Sequence, residues 1–192
     1  MTRRARNSPP RSSGGSDGVV TGDAPPASPV VAKLFPHAVL PQRGGAGSLG
    51  GVMISATVPI RVRYAETDGM SVAYHANYLT WFEVARTQLL EDIGVTYRSL
   101  EEAGFLLPVV EANLRYLAPS RYDDRLEVLA KVVEPPRARI RIEYEVRRDG
   151  RLLTTGYTVH AFMSREGLPL KPPQIVQDAF AKAFAEAAKQ EG

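Results

Sequence analysis

Residues 64–90 read YAETDGMSVAYHANYLTWFEVARTQLL, and the parsing of this stretch decides the fold. From about Ala76 the apolar residues recur at helical spacing. Tyr78, Trp81, Phe82, Ala85, Leu89 and Ile93 fall at i, i+3, i+4, i+7 and onward, and Gly94 follows as a terminator. A helix with Trp and Phe on one stripe demands a broad apolar cover. Just ahead of it, around the turn TDGMS, stand Tyr64, Asp68 and His75, with the carboxylate and the imidazole seven residues apart.

On the N-terminal side, Thr57–Glu66 alternates. Val58, Ile60, Val62 and Tyr64 share one face, and Arg61 and Arg63 the other, the signature of a half-buried strand. On the C-terminal side a short helix is expected over Tyr97–Ala103. Four strand-like runs follow, at Phe105–Leu117, Arg125–Glu134, Arg137–Arg147 and Arg151–Ser164. The third alternates cleanly, with Ile140, Ile142, Tyr144 and Val146 opposite Arg139, Arg141, Glu143 and Glu145. Asp149-Gly150 beside it predicts a type I′ hairpin turn, which needs positive φ at both central residues. The Ala-rich segment Gln174–Lys189 reads as an exposed terminal helix. Strand, long apolar helix and four further strands make an α+β chain, satisfied by one helix wrapped in a curved antiparallel five-stranded sheet. The sheet covers only one side of such a helix, so the edges and the remaining side favour pairing with a second copy.

Working outward again, residues 1–52 hold 9 of the 16 glycines, 7 of the 15 prolines and one aromatic residue, Phe35. Such a segment cannot bury enough apolar area to offset its ordering entropy and is expected to be disordered, with the domain occupying residues 53–192. Gly45, Gly47 and Gly50 match the dinucleotide-binding spacing. Pro- and Gly-rich coil precedes them and a strand-like run follows, the wrong context for that motif. Residues 1–52 also carry six basic residues against two acidic ones, +4 of the total net charge of +3, so the remaining 140 residues carry −1. The domain is therefore not basic, and nucleic acid is not an expected partner. The chain has no cysteine, which excludes disulfides and thiolate metal sites, and it has no apolar run long enough for a transmembrane helix. These features and the missing secretory signal point to a cytoplasmic protein.

Taken alone, Asp68 reads as a turn or cap residue, His75 as a helix-start histidine and Tyr64 as a core tyrosine with a wet hydroxyl. Glu83 and Arg86, at i and i+3, read as a surface or intersubunit ion pair. His160 reads as structural in mid-strand, His37 falls in the N-terminal segment, and no two histidines have metal-ligand spacing, so no metal is expected.

The segment YAETDGMSVAYHANYLTWFEVAR resembles the opening motif of hotdog-fold acyl-CoA thioesterases of the 4-hydroxybenzoyl-CoA thioesterase type, and most of all the branch typified by the acyl-CoA thioesterase of the Tol–Pal cluster. The likeness continues through LRYLAPSRYDDRLEV, with Pro119, Arg121 and Asp124, and through LPLKPP, and spans the domain but not residues 1–52. It implies a hotdog fold, dimers or tetramers, and hydrolysis of an acyl-CoA thioester with no metal or organic cofactor. By position it implies that Asp68 is the catalytic carboxylate, with Tyr64 and His75 as its active-site partners. Tyr74, Asn77 and Tyr78, which bracket the helix start, are the substrate-binding candidates, although Tyr78 also belongs to the core stripe.

Asp68 can serve as general base or as nucleophile, and main-chain N–H groups at the helix start near His75 can polarise the thioester oxygen. One departure stands out: Ser71 occupies a position where the branch carries glycine, so a positive φ there meets a Cβ restriction. Arg121, Arg137 and Arg139 are candidates for the phosphates of CoA, or equally members of a solvated strand face. A non-catalytic module that binds acyl-CoA or acyl carrier protein is the alternative to the enzyme.

Overall fold

A computed structural model describes residues 52–190 of the 192-residue chain. The expected disorder of the N-terminal segment, the decoy glycines and His37 all lie outside the described residues. Seven strands are present: β1 (Ile54–Arg61), β2 (Phe105–Leu106), β3 (Val109–Tyr116), β4 (Arg125–Val132), β5 (Arg139–Arg148), β6 (Arg151–Ser164) and β7 (Pro169–Leu170). The helices are α1 (Asn77–Asp92), α2 (Tyr97–Glu102) and α3 (Gln174–Gln190). All strand pairs are antiparallel. β1, β4, β5 and β6 are neighbours in that order, and β2, β3 and β7 each pair with β6.

The five expected strands are the five long ones, and the two-residue strands β2 and β7 are additions. The run Phe105–Leu117 breaks into β2 and β3 around Pro108, whose carbonyl accepts the Ala161 N–H at 3.2 Å. A proline has no N–H to give a ladder, so strands break at it.

Alternation decides which side chains enter the core. Ile54, Ala56 and Val58 of β1 face Val132, Ala130 and Val128 of β4, and all six are buried. Ile140, Ile142, Tyr144 and Val146 of β5 continue that face. α1 lies on it with Tyr78, Trp81, Phe82, Ala85, Leu89 and Leu90 buried. The Phe82 ring stacks on Tyr144, centroids 4.1 Å apart and planes 4° from parallel. Beside Tyr144 in the ladder is Gly156, where a Cβ would sit 2.9 Å from Phe82 Cε2 and 2.5 Å from the Asn113 carbonyl oxygen. The helix can descend this far only because Gly156 has no side chain.

Helix and hairpin ends follow the sequence closely. At the end of α1, Gly94 has φ +84°, the Val95 N–H donates to Leu90 O at 2.8 Å and the Gly94 N–H to Glu91 O at 2.9 Å, a Schellman pair of bonds. Asp149 and Gly150 have φ +50° and +75°, as the type I′ turn requires. α3 is less exposed than expected, because Val176 and Phe180 are buried in the core and Ala179, Ala183 and Phe184 pack against it. Among the described residues, no helix is long and apolar enough to cross a membrane.

Candidate active site

The site is built on the arm that joins β1 to α1. β1 ends at Arg61, and the next residue is clipped to a distant turn: the Val62 N–H donates to Asp124 O at 2.9 Å, and Val62 O accepts the Asp123 N–H at 2.9 Å. One 3₁₀ turn follows at Tyr64–Glu66. The chain then makes a miniature hairpin. Thr67 bridges Ala73, the Asp68 N–H donates to Val72 O at 2.9 Å, and the Ser71 N–H donates to Asp68 O at 2.9 Å. The Asp68 carboxylate stands at the tip of this hairpin, half-buried, with Oδ1 accepting the Met70 N–H at 2.8 Å. Ser71 closes the turn at φ +60°, so the Cβ restriction expected from its replacement of glycine is real.

The hairpin and the helix meet at one atom. The carbonyl oxygen of Glu66 accepts the Tyr74 N–H at 2.8 Å and Asn77 Nδ2 at 2.7 Å. The side chain of Glu66, 5% exposed, is as fully engaged as its main chain. Oε2 accepts the Arg63 N–H at 2.7 Å, and Oε1 accepts Arg63 Nη2 at 2.8 Å and the Trp81 indole N–H at 3.1 Å. Burial works against its charge, yet the donors from Arg63 and Trp81 outweigh it and hold this carboxyl below the usual range. Sequence reasoning missed Glu66, which reads as the polar end of a strand.

A second segment, Ala118–Asp124, braces the arm. Ser120 O accepts the Ala73 N–H at 2.8 Å, and Ser120 Oγ lies 2.7 Å from the Tyr78 hydroxyl. Tyr116 donates its hydroxyl to His75 O at 3.0 Å, and burial raises its phenol pKa and keeps it a donor. The likeness through LRYLAPSRYDD is the sequence signal for these braces.

The expected site residues divide by placement. Asp68, Tyr74, His75 and Asn77 gather around the arm and the start of α1. His75 is exposed, its ring tilted against that of Tyr74 at 4.2 Å. It stands two residues ahead of the first helical residue, Asn77, whose N–H goes to Tyr74 O at 3.0 Å. The N-cap position is Ala76, which has no side-chain acceptor to occupy the opening amides of the helix. Tyr78 is 2% exposed and committed to Ser120, so it braces the arm from within the core. Tyr64 differs from expectation: it is not on an inward strand face but in the 3₁₀ turn, 78% exposed, because β1 ends three residues earlier.

Arg86 and Glu83 also differ from expectation. Arg86 turns inward, its Nη1 3.1 Å from His160 Nε2 and its guanidinium 5.5 Å from the centre of the Tyr97 ring, while Glu83 stays exposed. His160 is fully buried, as a structural histidine should be. Thr158 Oγ1 lies 2.8 Å from its Nε2, and the Tyr144 hydroxyl lies 2.9 Å from that Thr158 oxygen. Burial foremost, and Arg86 next, lower the His160 pKa to about 4, so the ring is neutral and accepts from Arg86. Arg137 and Arg139 are exposed at the start of β5, and Arg121 is half-buried beside Asp124. Among the described residues, no three His, Asp or Glu side chains gather closely enough to hold a metal ion.

A cleft of about 560 Å³ opens at the other end of α1, lined among others by Met53, Glu91, Ile93 and Ala183. The helix has 16 residues, so this cleft is ~24 Å along its axis from Asn77 and away from Asp68.

The sequence model of the thioesterase-like superfamily matches residues 62–184, from the first residue after β1 to the middle of α3. YneP of Bacillus subtilis is 52% identical over 65 residues, 34% of this chain and 47% of that protein, so the chain spans about half the length of that relative. The acyl-CoA thioesterase YbgC of Haemophilus influenzae is 37% identical over 124 residues, which cover 64% of this chain and 91% of that one. Among solved structures, the DHNA-CoA thioesterase of Staphylococcus aureus superposes with a TM-score of 0.64 at 32% identity, covering 71% of this chain and 93% of that one.

Proposed function

The chain belongs to the thioesterase-like superfamily, and on that premise we propose that it hydrolyses an acyl-CoA thioester to a free acid and CoA, with Asp68 as the catalytic carboxylate. The observation that carries this reading is the Glu66 carbonyl junction. It ties the hairpin bearing Asp68 to the start of α1 through Tyr74 and Asn77. A carboxylate so held beside a helix start that lacks a side-chain cap can act on a carbonyl whose oxygen accepts from main-chain amides there.

Two routes use these groups. As general base, Asp68 takes a proton from a water whose oxygen attacks the carbonyl carbon. As nucleophile, its own oxygen attacks and a mixed anhydride forms, which water then cleaves. In either route the carbon–sulfur bond breaks, and the CoA thiolate leaves and is protonated. His75, exposed at the helix start, is assigned to the water or the leaving sulfur, Tyr64 and Tyr74 to the substrate, and Asn77 and Tyr78 to holding the arm.

A second copy of the chain belongs to the proposal. β3 is an edge of the sheet, and Val109, Val110 and Tyr116 on it are 51%, 48% and 36% exposed. An eight-residue edge strand that leaves three large apolar side chains in water is a pairing hazard, which a dimer or a tetramer removes.

Thiol release from a panel of acyl-CoA thioesters tests the reading. Asp68→Asn should keep the fold, since its side-chain oxygen can still accept from Met70, and should lose at least about a hundredfold in turnover. An Asn variant that hydrolyses at the wild-type rate removes Asp68 from the chemistry. The Met70 bond also suits a turn residue of a binding module. In that case the wild type would bind acyl-CoA and release no thiol.

A further inference from the structure

The turn Arg121–Asp124 is fixed at unusually many points for a surface loop. Its main chain exchanges two bonds with Val62. The Arg61 guanidinium pairs with the Asp123 carboxylate at 2.5 Å. The Asp124 carboxylate accepts the Arg121 N–H at 2.8 Å and Arg148 Nη1 at 2.5 Å. Asp123 adopts φ +69°, a left-handed conformation that disfavours a residue with a Cβ. Between these fixed points one large side chain is left in water: Tyr122, 58% exposed.

Its ring meets the ring of Tyr64 edge to face, with centroids 5.7 Å apart and planes at 87°. This is the one ring contact of Tyr64 among the described residues. The backbone of Tyr64 is already tied to the catalytic arm, because its carbonyl accepts both the N–H of Thr67 at 3.1 Å and the Thr67 hydroxyl at 2.8 Å, and Thr67 precedes Asp68. The main chain of Tyr64 is therefore set by the arm, while its ring, 78% exposed, has two free torsions. An edge-to-face partner on a fixed turn biases that freedom toward one orientation, because edge-to-face contact is one of the two favoured arrangements of aromatic rings.

We infer that Tyr122 is a positioning residue, which holds the Tyr64 ring in the orientation that engages the thioester substrate. The inference rests on the assignment of Tyr64 to the substrate. Tyr122 acts through Tyr64 and has no contact of its own with the reacting atoms. The brace from Ala118–Asp124 thereby has two outputs, one through Ser120 to the hairpin backbone and one through Tyr122 to an exposed ring.

A double-mutant cycle on the full chain tests it, read as kcat and KM for acyl-CoA hydrolysis together with thermal denaturation. Tyr122→Ala should lower kcat/KM about fivefold, the size of one aromatic pair, with the melting temperature lowered by no more than ~2–4 °C. Tyr122→Phe, which keeps the ring, should retain wild-type kinetics. In a Tyr64→Ala background, Tyr122→Ala should cost nothing more. Equal losses from Tyr122→Ala in both backgrounds, or a Phe variant as poor as the Ala one, would overturn the inference. So would an unchanged kcat/KM in Tyr122→Ala when Tyr64→Ala is impaired, and this leaves the assignment of Tyr64 standing. If Tyr64→Ala is itself wild-type, that assignment falls and the inference with it. A readout independent of turnover is the NMR spectrum of ring-labelled tyrosine. The Tyr64 ring signals should be displaced from free-tyrosine positions and return to them in Tyr122→Ala. Free-tyrosine positions in the wild type would refute the contact and the inference, whatever the enzyme hydrolyses.

Discussion

Replacing Glu66 tests whether the buried carboxylate holds the arm together. Its partners set the magnitude. Two donors, the Arg63 N–H and the Trp81 indole N–H, lose a charged acceptor in Glu66→Ala, at about 1.5 kcal/mol each. The Arg63 guanidinium adds little, because that side chain is 74% exposed and its ion pair is screened by solvent. The expected loss is therefore about 3 kcal/mol at neutral pH, or ~6–12 °C in melting temperature for a domain of this size. Glu66→Gln keeps one acceptor oxygen and should lose about half as much.

The pH dependence supplies the sign. The Glu66 pKa is held below its ordinary 4.5 in the folded state, so its stabilisation is complete above 4.5 and is lost as pH falls through the lower folded value. The gap between wild type and Glu66→Gln, measured by urea denaturation, should be full at pH 7 and close as the pH is taken below about 4.5. Amide hydrogen exchange at Thr67 and Tyr74 should also accelerate in the variant, because their acceptors, Tyr64 O and Glu66 O, belong to the 3₁₀ turn that is loosened. A gap of the same size at pH 7 and pH 3, or no gap at either, would refute the account of Glu66 as an ionised anchor.

Two further substitutions probe other parts of the fold. Ser71→Gly should stabilise the protein by about 0.5–1 kcal/mol in urea denaturation, since the left-handed φ of +60° loses its Cβ clash at a small entropic cost; an unchanged midpoint would mean the strain is relieved elsewhere. His160 has a folded pKa of about 4 against an ordinary 6.5, so its contribution is complete above pH 6.5 and declines as pH falls toward 4. Across that window the wild type should lose about 3 kcal/mol relative to His160→Gln, and parallel pH profiles of the two proteins would contradict a neutral buried imidazole.

The helix and the hairpin were legible because their signals are local. The buried stripe Tyr78, Trp81, Phe82, Ala85, Leu89 is a matter of period, and the Asp149-Gly150 turn is a matter of φ. The antiparallel sheet was legible from alternation, but its order was not: β1 pairs with β4 and β3 with β6, strands that are not neighbours in the chain. What escaped was decided by partners far away in the chain. The alternation Val58, Ile60, Val62, Tyr64 runs on past the true end of β1, because Val62 leaves the ladder for Asp123 and Asp124, some sixty residues later. Glu66 is buried only because Trp81 and Arg63 turn to it. Arg86 has Glu83 one turn away on its own helix, yet it points to His160 on β6, a choice that helix spacing cannot reveal. At the candidate site, the assignment of Asp68, His75 and Tyr64 comes from resemblance, whereas the contacts of Ser120, Tyr116 and Tyr122 needed the folded chain.

The missing side chain at Gly156 works as a depth gauge. Phe82 rides in the space a methyl group would fill, so one hydrogen atom on the sheet fixes how low α1 sits. Asn77, which grips the hairpin arm, lies five residues earlier on the same rigid rod. The altitude of the helix mouth is thus set from below, a turn and a half from any residue assigned to the chemistry.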